Sequence, residues 1–158
     1  MPEVYIGIDP GKSGGICVYC PDYQKGVNID YVKMPDTVHG ILTYLSDVKL
    51  NCTLTGRAIK VVLEKVHSMP GQGVASTFTF GQGFGQLQGV VAALGLQCIE
   101  VIPNKWMKCI GSMPKDKAER KKFIKDWVEK RSGKSIPLYV ADAVALAYVA
   151  PTLWGDGK

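Results

Sequence analysis

The run Val4-Tyr5-Ile6-Gly7-Ile8 ends on Asp9 and is followed by the turn residues Pro10, Gly11, Gly14 and Gly15. A short apolar run bounded in this way reads as a strand near the middle of a sheet. The carboxylate that closes it constrains the chain more than any other feature, because an unpaired ionised acid removed from water costs roughly several kcal/mol. A basic partner, a bound metal ion, or phosphate chemistry that brings a metal with it would compensate the charge.

The strand-like runs Val4 to Asp9, Gly15 to Cys20 and Val27 to Lys33 are separated by Gly, Pro and Asp, which predicts an antiparallel meander. Asp36 is placed to cap a helix whose apolar stripe is Val38, Ile41, Leu42, Leu45 and Val48. A fourth strand, Ala58 to Glu64, again ends on an acid, and a Gly-rich loop leads into a long helix to about Ala93. A fifth strand, Gln97 to Ile102, precedes helical stretches over Lys105 to Ile110, Lys115 to Lys130 and Tyr139 to Ala150. The order βββ-α-β-α-β-α-α-α predicts an α/β fold with a five-stranded mixed sheet, three antiparallel strands and then two parallel ones reached by helical crossovers. Without an internal repeat or linker, residues 1–158 read as a single domain. If strands one and four are parallel neighbours, their ends bring Asp9 and Glu64 together, and the last helix can lay Asp142 across the same edge. Like charges that close raise one another's pKa unless divalent cations lie between them.

Charge is distributed unevenly. Between Pro103 and Lys134 eleven Lys and Arg stand against four acids, a local +7, whereas the remaining 8 basic and 10 acidic residues give −2. That segment carries Lys105, Lys108, Lys115, Lys117, Arg120, Lys121 and Lys122, and it reads either as a solvated helix face with Lys-Glu pairs or as a field for a polyanion. No apolar run approaches a membrane span and no charged start precedes an apolar block, so a cytosolic protein is expected. The cysteines 17, 20, 52, 98 and 109 are expected to be reduced and mostly buried. Cys17-x-x-Cys20 lies in a strand, where positions three apart face opposite sides, and no second Cys/His pair follows, so structural zinc is not expected.

Ile6-Gly-Ile-Asp9-Pro-Gly11-x-x-Gly14, Val62-Leu-Glu64 and Ala141-Asp142-Ala-x-Ala-Leu-Ala147, in this order and spacing, resemble the RuvC family of Holliday-junction resolvases within the RNase H-like nucleases. The likeness extends through Gly85-Gln86-x-x-Gly89-Val-Val-Ala-Ala93 and spans residue 4 to about 150; it looks most like a phage-encoded member, which would act in the host cytoplasm. The resemblance implies an RNase H-like fold and a homodimeric endonuclease that nicks opposing strands of a four-way DNA junction. It also implies two Mg²⁺ ions, with Mn²⁺ as a substitute, held by Asp9, Glu64 and Asp142, and a metal-activated water as nucleophile. Mg²⁺ takes oxygen ligands and keeps waters, which suits three carboxylates.

One position departs from the pattern. The family commonly has an Asp or His three residues before the helix acid, and here that residue is Tyr139, whose neutral phenol is a poor Mg²⁺ ligand. A weakly held second ion is expected, or a substitute ligand. The loop and helix start from Lys65 to Phe80 occupy the region that contacts the junction in the family, so Met69, Phe78 and Phe80 are candidates for DNA contact; Phe78 and Phe80 read equally well as core residues. His67 reads as a loop hydrogen-bonding residue, and His39 carries no signal. Gly81, Gly83, Gly85 and Gly89 do not form a dinucleotide fingerprint and read better as close packing of a helix on the sheet or on a second subunit. Three other functions share some of these features: a nuclease on flaps, other branches or hybrids, a DNA-binding module weak in catalysis, and an actin-like ATPase, for which one domain of this length is too short.

Overall fold

The computed structural model describes residues 1–23 and 28–155. Strands β1 (Glu3–Asp9), β2 (Gly15–Tyr19), β3 (Ile29–Lys33), β4 (Ala58–Glu64) and β5 (Gln97–Val101) form one sheet in the order β3-β2-β1-β4-β5. β1 pairs antiparallel with β2 and parallel with β4, β2 pairs antiparallel with β3, and β4 pairs parallel with β5. This is the mixed sheet the sequence predicts. Val27, the first residue of the predicted third strand, lies outside the described residues.

Alternation along the central strands divides the interior into two cores. Val4, Ile6 and Ile8 of β1 and Val61 and Leu63 of β4 face helices α1 (Val38–Leu54) and α2 (Val74–Ala93). Tyr5 and Val62 face α3 (Pro103–Lys108), α4 (Lys117–Ser132) and α5 (Ala141–Gly155). Cys17 and Cys20 fall on opposite faces, as expected of a strand. All five cysteines are free, yet only Cys17 and Cys52 are fully buried, and Cys98 and Cys109 are exposed, which corrects the expectation of mostly buried thiols.

Several element ends differ from expectation for local reasons. Thr37, not Asp36, caps α1: its hydroxyl accepts the Gly40 amide at 3.0 Å. Pro103 starts α3 because its fixed φ and missing N–H suit the first helical position, so β5 stops at Val101 and α3 begins before Lys105. Asp116 caps α4 by accepting the Glu119 amide at 3.0 Å, and Gly133, at φ +69°, ends it. Leu138–Val140 forms a 3₁₀ turn, so α5 proper begins at Ala141 and Tyr139 precedes it. The stretch Leu138–Gly155 does have the length and apolarity of a membrane span, with 18 residues at mean hydropathy 1.3, contrary to the sequence reading; 61% of it is buried inside the protein, which makes it a core helix.

Candidate active site

The last parallel pair between β1 and β4 is Ile8 with Leu63, so the next residues, Asp9 and Glu64, stand side by side where both strands end. Asp142 reaches this edge because β1 has no side chain at Gly7. A Cβ there would collide with the Ala143 carbonyl and the Ala147 amide, so the backbone of α5 rests directly on β1, two residues before Asp9. The small residues Ala143 and Ala147 sustain that approach from the helix side, and Asp142 in the first turn is carried to the strand ends.

All three acids are partly buried and electrostatically coupled. Burial raises the Asp9 carboxyl well above its ordinary range, the charges of Glu64 and Asp142 raise it further, and Lys121 opposes them. Glu64 is pushed up to about 7 by burial and by Asp142, against a hydrogen bond from Trp106 that lowers it. Asp142 is raised by burial and lowered by Lys121 and Arg120. Three oxygen donors without nitrogen or sulfur suit a hard divalent cation such as Mg²⁺. Among the described residues no group of three or more His, Cys, Asp or Glu side chains stands already arranged to hold a metal ion. The fit therefore lies in donor chemistry and placement.

Trp106 escaped the sequence reading. It is fully buried on α3, and its Nε1–H donates to Glu64 Oε2 at 2.6 Å. The signal was present: an indole in the turn following a strand end brings both bulk for a core and one N–H that must find an acceptor.

Of the basic candidates, Lys121 and Arg120 are those whose charges act on the acids. Lys115 just before α4, Lys117 and Lys122 at its start, and Lys105 and Lys108 on α3, are exposed. Between α3 and α4 runs an open groove of about 580 Å³ lined by Pro103, Met107, Lys108, Met113 and Arg120 among others. Among the described residues the ion pair within this basic segment is Lys125 with Glu129 at 2.6 Å, so Lys-Glu pairing does not account for the remaining cations.

The aromatic candidates separate. Phe78 is 72% exposed and Met69 61% exposed, whereas Phe80 packs its ring over Gly11, where an added Cβ would lie 2.9 Å from Cε2. Gly11, at φ +102°, is the turn glycine two residues after Asp9, so Phe80 buttresses the acid-bearing turn. Tyr139 is 44% exposed on the 3₁₀ turn. His67 is exposed and makes no side-chain hydrogen bond among the described residues. Added Cβ atoms at Gly81, Gly83, Gly85 and Gly89 meet nothing within 4 Å, which removes close packing on the sheet as the reason for these glycines.

No protein-family model and no curated protein matches the chain. Solved structures do. The Thermus thermophilus RuvC structure is similar over 98% of this chain and 96% of that one, with a TM-score of 0.64 and 17% identity. T. thermophilus RuvC in complex with Holliday junction substrate is similar over 95% of this chain and 96% of that one, with a TM-score of 0.62 and 16% identity. A five-stranded mixed sheet in this order, with helices on both faces and a likeness covering nearly the full length of both chains, gives this protein the RNase H-like fold of RuvC.

Proposed function

We propose that the chain is a structure-selective endonuclease that resolves branched DNA, four-way junctions above all, by hydrolysing phosphodiester bonds with divalent cations bound at Asp9, Glu64 and Asp142. The observation that carries this reading is the convergence of three partly buried, mutually repelling carboxylates at one edge of the sheet, each raised in pKa. Structural acids would not be gathered in this way, because each makes the others harder to ionise. When bound, Mg²⁺ supplies Lewis-acid stabilisation of the phosphodiester oxygens where charge develops.

The protein's own groups divide the remaining work. Asp9, whose carboxyl feels the charges of both Glu64 and Asp142, is assigned as the central ligand. Lys121 and Arg120 offset the acids' negative charge, which would otherwise repel the phosphate backbone. Lys105, Lys108, Lys115, Lys117 and Lys122 extend the cationic surface along which the arms of a branch lie. Phe78 and Met69, both exposed, meet unstacked bases at the branch point. Two opposing nicks need two sites, and the bare glycine face of α2 is the surface for a second copy. A cytoplasmic location accords with this reading.

Cleavage of matched synthetic duplex, flap, three-way and four-way substrates in Mg²⁺ and Mn²⁺ tests the proposal. Nicking confined to the four-way junction is expected; equal cutting of a flap or hybrid would move the assignment to another nuclease of this fold. The absence, among the described residues, of three such side chains already arranged to hold a metal ion, together with Tyr139 at the family's fourth position, favours one rival, a DNA-binding module without catalysis. Junction binding without divalent-dependent nicking would establish it.

A further inference from the structure

We propose that Trp106 is the positioning residue of the cation site: its indole N–H holds Glu64 Oε2, commits that oxygen, and leaves Oε1 as the oxygen available to a divalent ion. The inference rests on the nuclease reading of the three acids. Its foundation is the 2.6 Å hydrogen bond between a fully buried indole and a carboxylate at a strand end. That length is short for N–H···O, in the direction expected when the acceptor is a carboxylate. An indole donates and never accepts, so it matches an ionised carboxylate and would lose its partner if Glu64 were replaced by an apolar residue.

Glu64 has more freedom than Asp9 or Asp142, since its side chain has one more rotatable bond, and a mobile ligand must be ordered when a cation binds. Trp106 removes that freedom beforehand. The indole itself is held in the core that also contains Val62 of β4 and Val101 of β5, so its aim is set by packing against the strand that carries Glu64 and the strand beside it. Trp106 shares the six-residue α3 with Lys105 and Lys108. The element proposed to meet phosphate on its exposed side therefore also fixes a ligand on its buried side.

Loss of a hydrogen-bonding partner behind a metal ligand typically weakens metal binding about 10- to 100-fold. Trp106→Phe keeps most of the ring and deletes the donor. Mn²⁺ binding to the DNA-free protein, followed by calorimetry, is expected to weaken at least about 10-fold in Trp106→Phe and to stay unchanged in Trp127→Phe. Should Trp106→Phe fail to fold, the wild-type chain still answers. In ¹H–¹⁵N spectra, assigned with Trp127→Phe and Trp154→Phe, Mg²⁺ should shift the indole resonance of Trp106 and leave the other two in place. Wild-type Mn²⁺ affinity in folded Trp106→Phe, or a Trp106 resonance unmoved by saturating Mg²⁺, overturns the positioning role while the nuclease reading stands. A wild-type protein that binds neither ion overturns both.

Discussion

Helices α2 and α5 are both rich in small and apolar residues, yet they occupy opposite kinds of environment. Ten of the fifteen residues of α5 are buried, against three of the twenty of α2. The glycine opposite α5, Gly7, has no room for a methyl group, and the four glycines from Gly81 to Gly89 in α2 meet nothing at all. The same residue type thus means backbone contact in one place and bare surface in the other. What α5 gains from contact is the placement of Asp142 beside Asp9; what α2 gains from bareness is a face that a second chain can approach closely.

The largest effect should fall on the chemistry that α5 completes. Asp9→Asn is expected to lower junction cleavage by about 100-fold or more while junction binding is kept or improved, because the change removes a cation ligand and a charge that repels phosphate. Glu64→Gln and Asp142→Asn should act alike. Any of the three variants cutting near the wild-type rate would remove that residue from the site.

Next in size is the contact that seats α5. Gly7→Ala should cost more than about 3 kcal/mol in urea unfolding, since the methyl group meets the α5 backbone at both Ala143 and Ala147 and neither strand nor helix can yield without moving the core. A loss under about 1 kcal/mol would show that α5 is not pinned to β1 in this way.

The acids themselves make a pH-dependent contribution of similar or smaller size. Glu64 is raised from 4.5 to about 7, so between these values the folded chain binds a proton that the unfolded chain has released. Stability of the metal-free protein must therefore fall as pH rises through this window, by up to roughly 3 kcal/mol, and stay low above it. Asp9 and Asp142 shift in the same direction. Urea midpoints measured in chelator from pH 4.5 to 8 check the sign, and Mg²⁺ added at pH 8 should recover the loss. Stability that rose with pH would contradict the coupling of the three acids.

The smallest effect distinguishes the two helices most sharply. Gly85→Ala and Gly89→Ala have room for the methyl group and should each stabilise the single chain by about 0.5–1 kcal/mol through lower unfolded-state entropy and better helix propensity. If α2 joins two copies, the same changes weaken self-association in sedimentation. Stabilised variants that still associate as the wild type does would place the dimer contact elsewhere.

The succession of elements, the strand directions, the two acids at strand ends and the acid opening the last helix were legible in the sequence, because alternation, turn residues and crossover rules act over a few neighbours or one connection. The basic segment was legible as composition, but which of its cations act on the acids was not: Lys121 and Arg120 gain that role only when α4 packs beside α5. Phe78 and Phe80 were indistinguishable by type and spacing, and the tertiary structure separated them by laying one ring on Gly11 and exposing the other. The hydrogen bond from Trp106 to Glu64 joins residues 42 positions apart, on a helix and a strand end. Local pattern decides which face of an element is buried. Only packing decides which atoms from distant segments share the space behind it.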